Sequence, residues 1–262
     1  MSQPTIPFQD GAAYERMMGR WSRLAGETFL DWVQAPSGLN WVDVGCGNGA
    51  FTELIVERTA PASIQGFDPS QGQITFARTR HQAGVARFDI GDAMALPLGD
   101  ASVDAAVMAL VIFFVPEPSK GVAEMARVVK PGGLICAYAW DILGGGFPLE
   151  PIQAELRALG LTPTRPPHPE AATIEGLTAL WRDAGLMDIH TREIITTRHF
   201  NDFEDFWASS MAGTAMSNVI GEMEPAMAAA LKAKVRLRIG ADTTGPVSYV
   251  ARAHAVKGKR PL

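Results

Sequence analysis

The chain has 262 residues, 47% of them apolar, and a formal net charge of −5. That suits one large α/β domain with an added segment, and the acidic balance argues against nucleic acid, which needs clustered Lys and Arg, as the main partner. Two cysteines, Cys46 and Cys136, without metal-ligand spacing exclude a disulfide framework and a cysteine-based metal site.

The first ten residues have neither a basic nor an apolar leader region. The longest apolar run, residues 105–115, is shorter than the ~20 residues a membrane helix needs. A cytoplasmic protein with no membrane partner is the expectation, and the oligomeric state stays open.

In chain order, Tyr14, Met17, Met18, Trp21, Leu24 and Ala25 share one face of a helix over residues 12–25. A second amphipathic piece covers residues 27–33, and Pro36 ends it. Residues 41–44 are a short apolar strand, followed by glycines at alternate positions, Gly45, Gly47 and Gly49, and a helix over residues 50–58. Strand, glycine turn and helix present backbone N–H groups to a ligand. Residues 62–67 form the second strand, ending in Asp68, about 20 residues beyond the turn, where a ribose-binding carboxylate is expected in a doubly wound sheet. The same acid can cap the next helix, residues 70–82, with Pro69 at its start. A third strand at residues 86–90 precedes Gly91-Asp92-Ala93, and the unbroken apolar strand at residues 103–110 reads as buried on both faces. A helix over residues 119–129 stops at Lys130-Pro-Gly-Gly, which turns into strand five, residues 134–140.

The second half carries fewer signals. Helices are expected over residues 150–159 and 173–184, strands over residues 188–197 and 247–256, and a surface connector over residues 163–169 with four prolines and His168. Two helices, residues 202–210 with Asn201 as cap and residues 222–238, lie between the last two strands as a candidate lid. Lys232, Lys234, Arg236 and Arg238 read as a solvated face, and residues 257–260 as a short basic tail.

Gly45, Gly47 and Ala50 also satisfy the dinucleotide pattern Gly-x-Gly-x-x-Ala, which keeps a nicotinamide-dependent oxidoreductase as one alternative. Asp43 and Gly49 tip the reading: Val-Asp-Val-Gly-Cys-Gly-Asn-Gly at residues 42–49 resembles the first motif of class I S-adenosylmethionine (SAM)-dependent methyltransferases. Glu-Met-Ala-Arg-Val-Val-Lys-Pro-Gly-Gly-Leu at residues 124–134 resembles the helix-to-strand junction of the ubiquinone-biosynthesis-like small-molecule group, and residues 14–23 resemble the N-terminal segment of such enzymes. The resemblance covers residues 12–140 and implies a mostly parallel, seven-stranded Rossmann-like sheet with an antiparallel last strand. It implies an N-terminal helical cap over residues 1–39 and a methyltransferase domain over residues 40–262, with the helical insertion at about 201–240.

It further implies methyl transfer from SAM to a small molecule, releasing S-adenosylhomocysteine (SAH). Cofactor contacts are implied at Tyr14, Arg20, Asp43, Gly45, Cys46, Gly47, Asp68, Pro69, Gln73, Asp92, Ala93 and Leu110. Asp43 would meet the methionine ammonium, Asp68 the ribose, Asp92 and Ala93 the adenine. Trp21, Phe113, Trp140, Trp207 and Met211 are candidate substrate contacts. Where many relatives have a histidine after strand four, this chain has Phe113-Phe114, an apolar pocket wall. Among His81, His168, His190, His199 and His254 none sits in a motif that marks a base, so no catalytic residue is assigned. A non-catalytic SAM-binding interaction protein is the second alternative.

Overall fold

The computed structural model describes residues 18–80, 84–211, 215–241 and 245–262. Seven strands form one sheet: β1 Asn40–Val44, β2 Ser63–Asp68, β3 Ala86–Ile90, β4 Val103–Ala109, β5 Val129–Trp140, β6 Met187–Phe200 and β7 Val247–Lys259. Their order is β3-β2-β1-β4-β5-β7-β6. The pairings among β1 to β5 are parallel, and β7 lies antiparallel between β5 and β6. This is the expected doubly wound α/β sheet with an antiparallel last strand. The order reverses between β1 and β4, whose residues 41–44 and 105–108 are all buried, which explains why all of them but Asp43 are apolar.

The N-terminal segment differs from expectation. Within the described residues it is one helix, α1 Arg20–Val33, running through Gly26 rather than two pieces. Gly26 lies against Phe51 and Leu54, a close approach that a side chain there would block. Trp21, Ala25, Phe29, Leu30 and Val33 of α1 join the same apolar core as the sheet. Tyr14 and His81 lie outside the described residues.

Helix α2 Ala50–Thr59 follows the glycine turn, and α3 Gln71–Ala77 follows β2. The α3 N-cap is Ser70, whose hydroxyl accepts from the Gln73 N–H, so Asp68 does not cap it. Helix α4 Pro118–Val128 ends where the motif predicts. The Pro-Gly-Gly that follows is already part of β5, with a pairing irregularity between Val103 and Ala105. Helices α5 Glu150–Ala158 and α6 Ile174–Asp183 match the expected spans to within a residue or two.

Among the described residues the insertion holds three helices rather than two: α7 Phe203–Met211, α8 Ala215–Gly221 and α9 Pro225–Arg238. Asp202, not Asn201, caps α7, its carboxylate accepting from the Asp205 N–H at 2.8 Å. Helix α9 packs on α5, and α7 packs on β6. Lys232 and Arg236 pair with Glu204, and Arg238 with Glu155, so three of the four expected basic residues of α9 are ion-paired on a solvated face, and Lys234 is exposed.

The expected basic tail is structural. The Lys257 ammonium donates to the carbonyls of Trp32 at 3.0 Å and Val33 at 3.3 Å, neutralising the C-terminal end of α1. The Arg260 guanidinium donates to the carbonyls of Arg127, in the last turn of α4, and Val129, just past it.

Candidate active site

The site grows from the C-terminal end of β1. The Gly45 and Cys46 N–H groups both donate to the Phe67 carbonyl, at 2.7 and 3.0 Å, which ties the glycine turn to β2. Gly45 has φ +76, and a methyl there would lie 2.5 Å from Val111 Cγ1, so this glycine serves close packing. Gly47 has φ +52 and nothing within 4 Å of its missing Cβ, so it leaves a gap on the cavity side.

Two acids are set by this turn. Asp68 Oδ2 accepts from the Gly47 N–H at 3.0 Å, and Oδ1 from the Ser70 N–H at 2.8 Å. Each carboxylate oxygen keeps a second lone pair for a ligand hydroxyl. Burial pushes the Asp68 carboxyl up, against those two bonds. Asp43 is fully buried; its Oδ2 accepts from the Thr52 hydroxyl at 2.6 Å, while Oδ1 has no partner among the described residues. Burial drives its carboxyl up to about 7, with the Thr52 bond opposing and the Asp68 charge adding. The Cys46 thiol is pushed far up by burial and by the negative charge of Asp43 and Asp68, so it stays protonated and unreactive.

A cavity of about 1100 Å³ opens here, at the carboxyl ends of the strands where the sheet order reverses. This is the place where open α/β sheets bind ligands. Asp43, Gly45, Cys46, Gly47, Asp68, Pro69, Gln73, Asp92, Ala93 and Leu110 all line it, so ten of the twelve expected cofactor contacts share one wall. Asp92 also closes a local side-chain turn, its Oδ1 accepting from the Met94 N–H at 2.8 Å. Leu110 sits at φ +62, a costly conformation for a branched side chain, held by its N–H bond to the Tyr138 carbonyl at 2.8 Å. Arg20 is exposed and lies away from the cavity.

The five candidate substrate residues do not reach the cavity. Trp21 is buried against Phe200 and Tyr249, with ring centroids 6.3 and 6.1 Å away. Phe113 and Trp140 are core residues, 3% and 2% exposed. Trp207 stacks beside Phe203 and under Lys232, and Met211 packs against the same core. No described residue of the insertion lines the cavity. The aromatic stripe of α7 holds the insertion onto β6 instead.

The cavity is also lined by Phe114, the expected wall residue, and by residues that sequence reasoning passed over: Ser22 of α1, Tyr138 of β5, Val115 and Pro116 after β4, and Arg165, Pro167 and His168 of the connector. The Ser22 hydroxyl is buried without a partner among the described residues. The connector is not a free surface segment, because the His168 N–H donates to the Phe113 carbonyl at 3.1 Å. Nothing local in the sequence signals that docking; only the paired Phe113-Phe114 marks the turn as a wall.

Comparison with known proteins agrees with this geometry. Residues 42–137 match the methyltransferase domain family. The chain is 35% identical over 120 residues to a demethylmenaquinone methyltransferase of Desulfitobacterium hafniense, covering 44% of this chain and 46% of that one. It is 34% identical over 113 residues to a malonyl-[acyl-carrier protein] O-methyltransferase of Pectobacterium atrosepticum, covering 43% of each. The chain thus spans about half or less of the length of these curated relatives. Among solved structures, the YcgJ protein of Bacillus subtilis superposes with a TM-score of 0.59 at 15% identity, covering 91% of this chain and 98% of that one. A phosphoethanolamine N-methyltransferase of Haemonchus contortus in complex with SAM also superposes with a TM-score of 0.59, at 14% identity, covering 98% and 61%. At such identities the likeness speaks for the fold.

Proposed function

We propose that the chain is a class I SAM-dependent methyltransferase that transfers a methyl group from SAM to a small-molecule acceptor held in the 1100 Å³ cavity. The observation that carries this reading is the unpartnered Asp43 Oδ1, fully buried on the wall that also holds Asp68 and Asp92. A buried carboxylate oxygen without a donor is costly unless a ligand supplies one. The ammonium of the methionine moiety is such a donor. The gap at Gly47 and the unpartnered Ser22 hydroxyl add room and a second polar contact.

The residues fit the cofactor along its length. Asp43 and the glycine turn hold the amino-acid end. Asp68, fixed by two backbone donors, accepts from the ribose hydroxyls. Asp92 accepts from the adenine amino group, and the Ala93 N–H faces a ring nitrogen. These acids oppose a pyrophosphate, which weighs against a dinucleotide in the same turn. SAM, when bound, supplies an electrophilic methyl on a sulfonium leaving group. The protein then has to orient the acceptor and exclude water, which is worth up to ~7–11 kcal/mol in ideal cases. Phe114, Val115 and Pro116 form the dry wall that does the second.

Calorimetric and thermal-shift titrations with SAH, SAM and NAD test the reading. A ligand at 100 times its dissociation constant adds ~2.7 kcal/mol of stability. We expect a shift with SAH and SAM and none with NAD. A shift with NAD alone, or with none of the three, would overturn the assignment.

A further inference from the structure

The cavity has two unlike halves. The half described above is built from acids and the glycine turn. The other is mostly apolar, through Val111, Phe114, Val115 and Pro116, with Ser22, Tyr138 and, on the connector, Arg165 and His168 as its polar members. No hydrogen bond or ion pair among the described residues engages the Arg165 guanidinium.

His168 is held in place from three directions. Its N–H bonds the Phe113 carbonyl at 3.1 Å. The next residues, a short helical turn Pro169–Ala172, bury Ala171 and Ala172 in the core. The Ala172 carbonyl in turn meets His254 Nδ1 at 2.8 Å. The imidazole is oriented as well: Nδ1 lies 3.0 Å from Glu170 Oε1. With the carboxylate accepting, Nδ1 carries the proton and Nε2 keeps a free lone pair. His168 lines the cavity and Glu170 does not, so Nε2 is the nitrogen left for a ligand.

We propose that His168, oriented by Glu170, is the general base of an acceptor subsite whose substrate is an apolar-bodied molecule with an ionisable hydroxyl, an enol or a phenol. This rests on the methyltransferase reading above. An amine acceptor is disfavoured by the neighbouring Arg165 cation, whereas an oxyanion developing on a hydroxyl is favoured by it. In the step, the hydroxyl proton passes to His168 Nε2 and the oxygen lone pair forms the bond to the methyl carbon. The carbon–sulfur bond breaks with its electron pair going to sulfur, and the imidazolium proton later leaves to solvent. The charged groups around His168 are Glu170 and Arg165 on its own segment and Asp43, Asp68 and Asp92 across the cavity; the Ile-Phe-Phe turn beneath it carries none.

The test uses the full-length protein saturated with SAH and 4-nitrophenol as a chromophoric probe. At pH 6 the wild type should show the phenolate absorbance of the bound probe. His168→Gln should bind SAH unchanged and bind the probe within a few-fold, but show the neutral phenol spectrum. With SAM, His168→Gln should lose at least 100-fold in kcat on 4-methylphenol and less than tenfold on pentafluorophenol, which is already ionised. Glu170→Gln should give an intermediate loss. A bound probe whose spectrum is the same in the wild type and His168→Gln would overturn the proposal. So would a wild type that binds SAH yet neither binds nor methylates phenols, or that methylates carboxylic acids regardless of residue 168. Failure to bind SAH would instead strike the methyltransferase reading.

Discussion

With Asp43 holding the ligand ammonium as proposed, its carboxyl ties cofactor affinity to pH. Its carboxyl is fully buried, with a folded-state value of about 7 against 3.8 when exposed. Only the ionised form can pair with the ligand ammonium. The ionised fraction rises from a few per cent at pH 5.5 to about half at pH 7, so SAH should bind on the order of tenfold tighter at pH 7, ~1–2 kcal/mol. The SAH ammonium itself stays charged across this window. Binding at pH 6 should release close to one proton, measurable by calorimetry in buffers of different ionisation enthalpy. Asp68 is also raised by burial, so the comparison that isolates Asp43 is Asp43→Asn. That variant should bind weakly and lose most of the pH dependence.

The same carboxyl gives a stability prediction of opposite sense. A raised folded-state value means the protonated form favours folding. That contribution is complete below about pH 4 and is lost as pH rises to about 7. Above pH 7 the buried charge costs about 4 kcal/mol, and an asparagine with an unpaired N–H returns about 1–3 of it as a new cost. Asp43→Asn should therefore raise the Tm of the ligand-free protein at pH 8 by about 4–8 °C, with little gain at pH 4.5. An SAH affinity flat between pH 5.5 and 7, together with no Tm gain at pH 8, would refute the reasoning.

The remaining predictions concern the turn, Asp68 and the C-terminal strand. Gly47→Ala should lose about 1–2 kcal/mol of stability from its positive φ but more than tenfold in SAH affinity, because its methyl fills the open gap. Gly45→Ala, whose methyl meets Val111, should instead lose about 2–5 kcal/mol, read by urea denaturation. Asp68→Asn should weaken SAH binding by about 10- to 150-fold, and it should lower Tm because its amide would face the Gly47 N–H. Lys257→Met should cost about 1–2 kcal/mol through the lost contacts to the end of α1, with SAH affinity unchanged.

What could be read along the chain was whatever local chemistry dictates. The apolar run at β1, the glycines that need positive φ, the acid closing β2 and the proline-glycine stop after α4 each act on their own neighbours. They place the sheet, its reversal point and the cofactor-side wall. Side-chain direction in irregular segments was different. Of the adjacent pair Phe113 and Phe114, one is core and the other lines the cavity, and only the packing of the turn after β4 separates them. Trp21, Trp140 and Trp207 have the composition of a substrate box, yet burying them in the core and against the insertion satisfies the same apolar surface. Ser22, Arg165 and His168 reach the cavity because α1 packs into the sheet core and because one backbone bond docks the connector on Phe113. Such contacts join positions far apart in the chain, and their free energy depends on the assembled surface, so no window of sequence contains them.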